Sequence, residues 1–285
     1  MENIRQAIER AKDRERTGPP RQPESRSDDL SRRSGFRSAA GYEFGPGPRD
    51  ESAISFPETE LNSAFLQSNR IIAHGVTNAL SGPFDMLRTQ ILQSMDAKGQ
   101  NILAITSPTP ACGKTVTSVN LALSIARQPE RSAVLVDLDL RKPMVASYLG
   151  LEFHYDVQSV VQGRKNLSEA VIHARIDDQQ LMILPATAKS GSSELMASRA
   201  MAEMLRDLRR EYSSQTIIVD LPPILSSDDV IAILPQVDCV LLVVAVGTSK
   251  VSDIEECNKH LQSTEVVRIV VNKVPKASAP YYGYY

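Results

Sequence analysis

The residues best suited to chemistry stand in the stretch ITSPTPACGKTVTS, residues 105–118. An apolar run typical of a buried strand precedes the glycine, and a run with helical periodicity follows it, which is the context that a phosphate-binding loop requires. The backbone at Cys112 and Gly113 is expected to approach phosphates closely. Lys114 is predicted to reach the β- and γ-phosphates, and the Thr115 hydroxyl to bind Mg²⁺. The alternative is that GKT occurs by chance at a strand–helix turn. The predicted strand before it and the predicted helix after it favour a nucleotide site.

Two carboxylates end the next apolar run, VLVDLDLRKP at residues 134–143. Asp137 and Asp139 alternate with leucines, and the period-2 geometry of a strand places both carboxylates on one side of the chain. At the C-terminal edge of a parallel sheet, that side can face a ligand crevice. Like charges this close are costly unless a cation or a proton lies between them. The pair therefore suits Mg²⁺, or one carboxylate could accept a proton from an attacking hydroxyl; two surface acids at a strand end are the structural alternative.

Later strand ends add further candidates. TIIVDLPPIL, residues 216–225, leads to Asp220 at a strand end, the pattern of an acid that holds Mg²⁺, often through water. A helix-capping aspartate is the alternative, and the two prolines that follow weaken it. Asn272 and Lys273 close the last predicted strand and could contact the nucleotide base, although NK is a short and common pair.

Alternating elements must position these residues. Short apolar runs alternate with amphipathic segments from about residue 100 onward, which predicts an α/β fold like that of P-loop NTPases: a doubly wound, mostly parallel sheet with helices on both faces. The predicted strands cover residues 101–107, 132–140, 181–186, 216–223, 238–247 and 266–274. The predicted helices cover residues 114–128, 143–149, 166–173, 192–212, 227–234 and 251–262.

The composition limits the function classes. The 285 residues carry a formal net charge of −2, so nothing global points to nucleic acid or to an anionic membrane. Three cysteines form no CxxC pair and suggest a reducing compartment, and the four histidines are scattered in a way that suggests no metal site. No apolar run approaches the roughly 20 residues that cross a bilayer, and the N-terminus has no signal-peptide pattern. These features predict a cytoplasmic protein.

Three regions are predicted along the chain. Residues 1–66 are rich in Pro, Gly, Ser and charge and are expected to be disordered, with a short helix near 1–16. Residues 67–274 form the predicted nucleotide-binding domain. Residues 275–285 form a predicted flexible tail that carries half of the eight tyrosines of the chain. This enrichment suggests that the tail has a function of its own.

These motifs together resemble the bacterial tyrosine kinases of capsule and exopolysaccharide systems, from about Asn69 to the C-terminus. The family loop reads roughly S-x-x-P-G-E-G-K-S/T, here SPTPACGKT, and its acidic motifs D-x-D-L-R-x-P and D-x-P-P are here DLDLRKP and DLPP. The family ends in a tyrosine cluster, here Tyr281, Tyr282, Tyr284 and Tyr285. Ala111 and Cys112 replace the Gly-Glu of the family loop, a departure that could alter loop geometry or rate.

The resemblance implies an ATP- and Mg²⁺-dependent protein-tyrosine autokinase that phosphorylates its own tyrosine tail and regulates polysaccharide polymerisation and export. Lys114 would hold phosphate and form the catalytic group with Asp139 and the candidate base Asp137. Mg²⁺ would be held by Thr115, Asp139 and Asp220.

The resemblance also implies partners. These are a separate membrane-embedded polysaccharide co-polymerase or adaptor that holds the chain at the inner face of the plasma membrane, a cognate phosphotyrosine phosphatase and a possible homo-oligomer, with no nucleic acid. Family members join into a ring through a helix reading about E-x-F-R-x-L-R-T. Here the stretch is GPFDMLRT, with Gly82 in place of Glu and Asp85 in place of Arg. Whether this chain forms such a ring is therefore open.

Two other functions fit part of the pattern. Partition or division-site ATPases share the fold and both Asp motifs, but they carry a second Lys in the loop where this chain has Thr109, and nothing explains a tyrosine tail in them. A regulatory nucleotide-binding subunit with weak catalysis would explain the altered loop and the changed helix charges.

Overall fold

The computed structural model describes residues 58–75, 79–188 and 192–275. The predicted helix near residues 1–16 and the four C-terminal tyrosines lie outside the described residues. No described helix is both long and apolar enough to cross a membrane.

An eight-stranded sheet organises the part of the chain that the structure describes, in the order β1-β4-β5-β3-β6-β2-β7-β8. The central strands are buried on both faces and read as continuous apolar runs, as parallel strands covered by helices do. The strands are β1 (Glu58–Glu60), β2 (Ile102–Thr106), β3 (Ala133–Asp137), β4 (Ile172–Ile176), β5 (Gln179–Leu184), β6 (Thr216–Asp220), β7 (Cys239–Ala245) and β8 (Glu265–Asn272). Every strand pair is parallel except the β4–β5 hairpin. The predicted fold class is confirmed.

Helices cover both faces of the sheet and create two hydrophobic cores. One core packs α5, α8 and α9 against one face, and the other packs α1, α2 and α3 against the opposite face. The helices are α1 (Ser63–Ser68), α2 (Gly82–Asp96), α3 (Lys114–Ala126), α4 (Val145–Leu149), α5 (Val157–Val161), α6 (Leu167–Ala170), α7 (Ser192–Met196), α8 (Arg199–Glu211), α9 (Asp229–Ile233) and α10 (Val251–His260), with a 3₁₀ turn at Leu234–Gln236.

Two element predictions were wrong. Residues 172 and 173 belong to strand β4 rather than to the end of a helix over 166–173. Ala174 and Ile176 alternate into the core, and Asp177 turns the hairpin with a φ of 50°, a conformation that Asp tolerates better than most residues.

The helix predicted over 192–212 is two helices, α7 and α8, because Ser198 begins the second one. Its hydroxyl accepts a hydrogen bond from the Met201 N–H at 3.1 Å, which satisfies one of the unpaired donors of a new helix start. Ser193, near the start of α7, donates its hydroxyl to Asp229 Oδ1 at 2.6 Å.

Described structure extends N-terminal to residue 67, where the nucleotide-binding domain was predicted to start. Strand β1 pairs with β4 along Glu58–Glu60, and α1 follows it. Buried Asn120 of α3 then fixes the chain: its amide oxygen accepts the N–H groups of Ile72 and Ala73 at 2.8 and 3.0 Å. Its amide nitrogen donates to the Arg70 carbonyl at 3.0 Å. This clamp is a long-range contact that no local pattern signals.

Asp85 joins α2 to the C-terminal end of α3. Its carboxylate pairs with Arg88 at 3.2 Å and with Arg127, and it accepts the Ser124 hydroxyl at 2.7 Å. The Asp85 side chain is only 14% exposed. The residue that departs from the family helix therefore forms an internal charged joint in this chain.

Candidate active site

The loop between β2 and α3 has the backbone of a phosphate cradle. Ala111 and Gly113 both take positive φ values, 63° and 91°. Such left-handed residues turn successive N–H groups to one side, and the first N–H groups of α3 have no partner within the helix. Loop and helix start together form a place where an anion can bind. Ala111, in place of the glycine of the family motif, takes a left-handed conformation that glycine would adopt without strain.

Lys114 is the first residue of α3 and lies between two buried carboxylates. Its ammonium is 2.8 Å from Asp139 Oδ2 and 3.5 Å from Asp220 Oδ2. Burial opposes the charge on Lys114, but Asp220 and Asp139 outweigh it and raise its pKa. The lysine is charged and held at the loop by these two acids.

Asp220 ends β6 and is fully buried. The Thr115 and Ser118 hydroxyls donate to it at 2.7 and 2.9 Å. Ser118 was missed in the sequence, although it follows Lys114 by four residues and so lies on the same face of the helix. Burial raises the pKa of Asp220 against the effects of Lys114 and the two hydroxyls.

Asp137 ends β3 and is held by the backbone. It accepts the Asp139 N–H at 3.1 Å and the Met144 and Val145 N–H groups at 3.0 Å each. Burial, and next the Asp220 carboxylate, nevertheless raise the pKa of Asp137 to about 8. The carboxyl group therefore fixes the loop after β3, and its predicted role as a base stays a prediction.

Asp139 lies beyond the strand, because β3 ends at Asp137 rather than at residue 140. Asp139 begins a turn in which its carbonyl accepts the Lys142 N–H at 3.0 Å. The period-2 argument does not apply at this point, yet both carboxylates are buried at the same edge of the sheet.

Three buried carboxylates thus share this edge with one ammonium group. The surplus of negative charge and the raised pKa values of Asp137 and Asp220 are what an added cation would relieve. Within the described ranges, no group of three or more His, Cys, Asp or Glu side chains is arranged to hold a metal. Asp139, Asp220 and the Thr115 hydroxyl could hold Mg²⁺ together with phosphate oxygens, because hard oxygen donors suit this ion.

Arg141 links the loop that follows β3 to the loop that follows β6. Its Nε donates to Asp229 Oδ2 at 2.9 Å, and its Nη2 donates to the Ser193 hydroxyl at 2.9 Å. Ser193 in turn donates to Asp229 Oδ1 at 2.6 Å. The turn that begins at Asp139 is thereby tied to the first residue of α9, at the end of the loop that follows Asp220.

Two further predicted site residues, Cys112 in the phosphate loop and Asn272 at the end of β8, contact each other. The Cys112 thiol is buried and lies 3.4 Å from the Ser249 hydroxyl. Asn272 Nδ2 donates to the Cys112 carbonyl at 2.9 Å. The predicted contact of Asn272 with a base stays a prediction. Lys273, its neighbour, is exposed.

Comparison with known proteins bears on this geometry. The family model described as an AAA domain matches residues 100–267, which include the loop and all three acids. The kinase domain of VpsO has a TM-score of 0.60 and is 30% identical, over 67% of this chain and 93% of that domain. The chain belongs to the bacterial tyrosine-kinase family.

Two relatives show how the lengths compare within the family. YwqD of Bacillus subtilis, a tyrosine-protein kinase, is 26% identical over 223 residues, 77% of this chain and 92% of YwqD. EpsB of Ralstonia solanacearum is 31% identical over 199 residues, 70% of this chain. The chain matches only 26% of the length of EpsB, so the activity and partners of the whole relative are not transferred by the match alone.

Proposed function

We propose that this chain is an ATP-dependent protein-tyrosine autokinase that phosphorylates its C-terminal tyrosines and regulates exopolysaccharide or capsule polymerisation and export. The observation that carries the proposal is the convergence of Lys114, Asp139 and Asp220 within 3.5 Å at the phosphate loop. When bound, Mg²⁺-ATP would supply the γ-phosphoryl group and a metal that neutralises the developing charge. The chain itself contributes position and electrostatics.

The residues divide these tasks. Backbone N–H groups at Cys112 and Gly113 would bind phosphate, and Lys114 would leave its two acid partners for the phosphates. Thr115, Asp139 and Asp220 would hold the metal. Because Thr115, Asp139 and Asp220 are buried, the low local dielectric strengthens their interactions.

The acceptors would be Tyr281, Tyr282, Tyr284 and Tyr285. The tyrosine oxygen would form a bond to the γ-phosphorus as the bond to the bridging oxygen of ADP breaks, and the phenolic proton would pass to a carboxylate. A phenol has an unperturbed pKa near 10, so a nearby base assists the attack. Asp137 is the candidate, once added cations lower its pKa toward its ordinary value.

The tail has the reach for this reaction. The last described residue is Pro275, three residues after Asn272, which contacts the phosphate loop. The ten residues that follow span at most about 35 Å when extended. That length suffices for the active site of the same subunit or of an adjacent one.

The setting of the chain belongs to the same proposal. A membrane-embedded polysaccharide co-polymerase or adaptor would hold it, as a cytoplasmic protein, at the inner face of the plasma membrane, and a cognate phosphatase would reverse the modification. Each phosphate adds about −1.5 to −2 charge units to the tail. Repulsion among the phosphorylated tyrosines would release the tail from whatever surface it occupies.

Incubation of the full chain with ATP and Mg²⁺ tests the proposal. Mass spectrometry is expected to find phosphate on the terminal tyrosines. Lys114→Met is expected to abolish the signal, and Lys142→Met, an exposed lysine of the neighbouring loop, is the matched control that should retain it. Replacement of the four terminal tyrosines by Phe should abolish phosphorylation without abolishing nucleotide binding.

Two outcomes would favour the alternative functions. ATP turnover without phosphotyrosine would contradict the kinase and favour a switch ATPase. Nucleotide binding without turnover or phosphotyrosine would favour a regulatory subunit.

A further inference from the structure

Asn272 stands at a position where its side chain is rigidly presented. It ends β8, where its backbone pairs with Ala245 of β7, and its carbonyl accepts the Val246 N–H at 3.0 Å. The amide oxygen of the side chain accepts the Lys273 N–H at 2.8 Å. Backbone and side chain are therefore both fixed by the end of the sheet.

The side chain of Asn272 packs on the phosphate loop at its tightest point. Nδ2 donates to the Cys112 carbonyl at 2.9 Å. A Cβ placed on Gly113 would lie 2.3 Å from that same nitrogen. Gly113 has a φ of 91°, so both the turn and the approach of Asn272 require a glycine.

The bond from Asn272 sets the orientation of one peptide group in the loop. The Cys112 carbonyl and the Gly113 N–H belong to the same planar trans peptide, so they point in opposite directions. A carbonyl drawn toward Asn272 turns the Gly113 N–H away from Asn272. The same bond polarises the peptide, which makes that N–H a stronger donor.

We propose that Asn272 is a positioning residue of the phosphate loop: it locks the Cys112–Gly113 peptide so that the Gly113 N–H is preset for a phosphate oxygen. Its contribution is to phosphate binding of any nucleotide rather than to recognition of the base. The inference rests on the proposed nucleotide site. It adds to that site Asn272, a residue of the edge strand β8.

A second consequence concerns the tail. Asn272 lies three residues before the last described residue, Pro275, beyond which the tyrosine-rich segment continues. The lock therefore joins the phosphate loop to the stem of the tail, through one side chain.

Calorimetric titration of the full chain with three probes, in the presence of Mg²⁺, tests the lock. The probes are ATP, GTP and inorganic tripolyphosphate. Asn272→Ala is expected to weaken whichever of these the wild type binds by the same factor, roughly five- to tenfold for one lost hydrogen bond. Asn272→Leu, which keeps the size of the side chain but has no N–H to donate, should lose as much as Asn272→Ala. Val271→Ala, at an exposed neighbouring position of the same strand, should change none.

The outcomes separate the lock from other roles. A loss confined to ATP would overturn the proposal and make Asn272 a reader of adenine. Unchanged affinities in Asn272→Ala, with wild-type binding intact, would overturn the lock and leave the nucleotide site in place. A wild-type chain that binds none of the probes would overturn the nucleotide site itself. Thermal unfolding of each variant shows whether the affinities come from folded protein.

Discussion

Two clusters of buried charge lie at opposite ends of helix α3, and their charges are balanced in opposite ways. At the N-terminal end, one ammonium group, Lys114, faces two carboxylates, and the third, Asp137, lies close enough to act on its pKa. At the C-terminal end, one carboxylate, Asp85, meets two guanidinium groups. Both clusters are shielded from water, so neither is an ordinary surface ion pair.

The difference shows which cluster is a site and which is a joint. A buried charge is tolerated when it is paired, and breaking a buried pair is costly because one charge is left without compensation. The Asp85 cluster has one guanidinium group in excess, but Arg88 and Arg127 also donate to backbone carbonyls, so the protein itself satisfies the excess and the cluster ties α2 to α3. The Lys114 cluster is short of positive charge by itself. We therefore place the proposed ligand site at this cluster, because an added cation would relieve the deficit.

The largest expected effect comes from Asp220. Asp220→Asn should lower tail phosphorylation by about 100-fold or more, the scale on which loss of metal-site partners acts. It should not lower the unfolding temperature in EDTA, because the variant removes one of the surplus acids, while the Asn amide oxygen accepts one of the Thr115 and Ser118 hydroxyls and its nitrogen donates to the other. Phosphotyrosine assays and thermal unfolding check both halves. A loss of stability as large as that of a broken joint would contradict the comparison.

Asp85 should show the opposite pattern. Asp85→Ala is expected to lower the free energy of unfolding by about 3 kcal/mol, because it leaves two partly buried guanidinium groups facing each other. Below the unfolding temperature, nucleotide affinity should be unchanged. Chemical denaturation and calorimetry measure the two quantities.

Asp96→Ala is the matched control for the joint. Asp96 also lies on α2 and pairs with an arginine beyond α3, Arg131 at 2.6 Å, but its side chain is 48% exposed. Its loss should cost below about 1 kcal/mol, as for exposed pairs. Equal losses for Asp85→Ala and Asp96→Ala would show that burial does not distinguish them.

The pH dependence of stability should come from the acid-rich cluster. The folded pKa of Asp137, about 8, lies above its unfolded value, so between pH 4 and 8 the folded state binds more protons than the unfolded state. The stabilisation is complete below pH 4 and is lost as the pH rises through 8. For one proton the slope reaches at most about 1.4 kcal/mol per pH unit.

Asp137→Asn isolates this effect. Denaturation in EDTA from pH 5 to 8 should show a shallower fall in the variant than in the wild type. Addition of Mg²⁺ with nucleotide should also reduce the fall in the wild type. If stability fell equally with pH in wild type and variant, Asp137 would not be the group that binds the extra proton in the folded state.

The cluster around Lys114 could be predicted from the sequence, but the ion pairs of Asp85 could not, for a physical reason. Lys114, Asp139 and Asp220 follow apolar runs, and parallel strands bring their C-terminal ends to one edge, so local pattern plus topology was enough. Asp85 and Arg127 are 42 residues apart, and Arg141 and Asp229 are 88 apart. No spacing rule joins such pairs. Strand β1 was missed because a three-residue edge strand has little periodicity to show, and β4 was missed because its first two residues were assigned to the preceding helix.

The smallest expected effect concerns backbone strain in the phosphate loop. Ala111 has a φ of 63°, a left-handed conformation that costs a non-glycine residue about 1 kcal/mol or more. Ala111→Gly relieves this strain but gains entropy in the unfolded chain, so a net stabilisation of about 0.5 kcal/mol is expected. Ala97→Gly, at a φ of −60° at the end of α2, has no strain to relieve and should destabilise by a similar amount. Opposite signs in thermal unfolding would show that the phosphate loop, unlike the end of a structural helix, holds its shape against a local cost. If both variants were destabilised alike, Ala111 would carry no strain, and the phosphate loop would differ from the end of α2 in its charges alone.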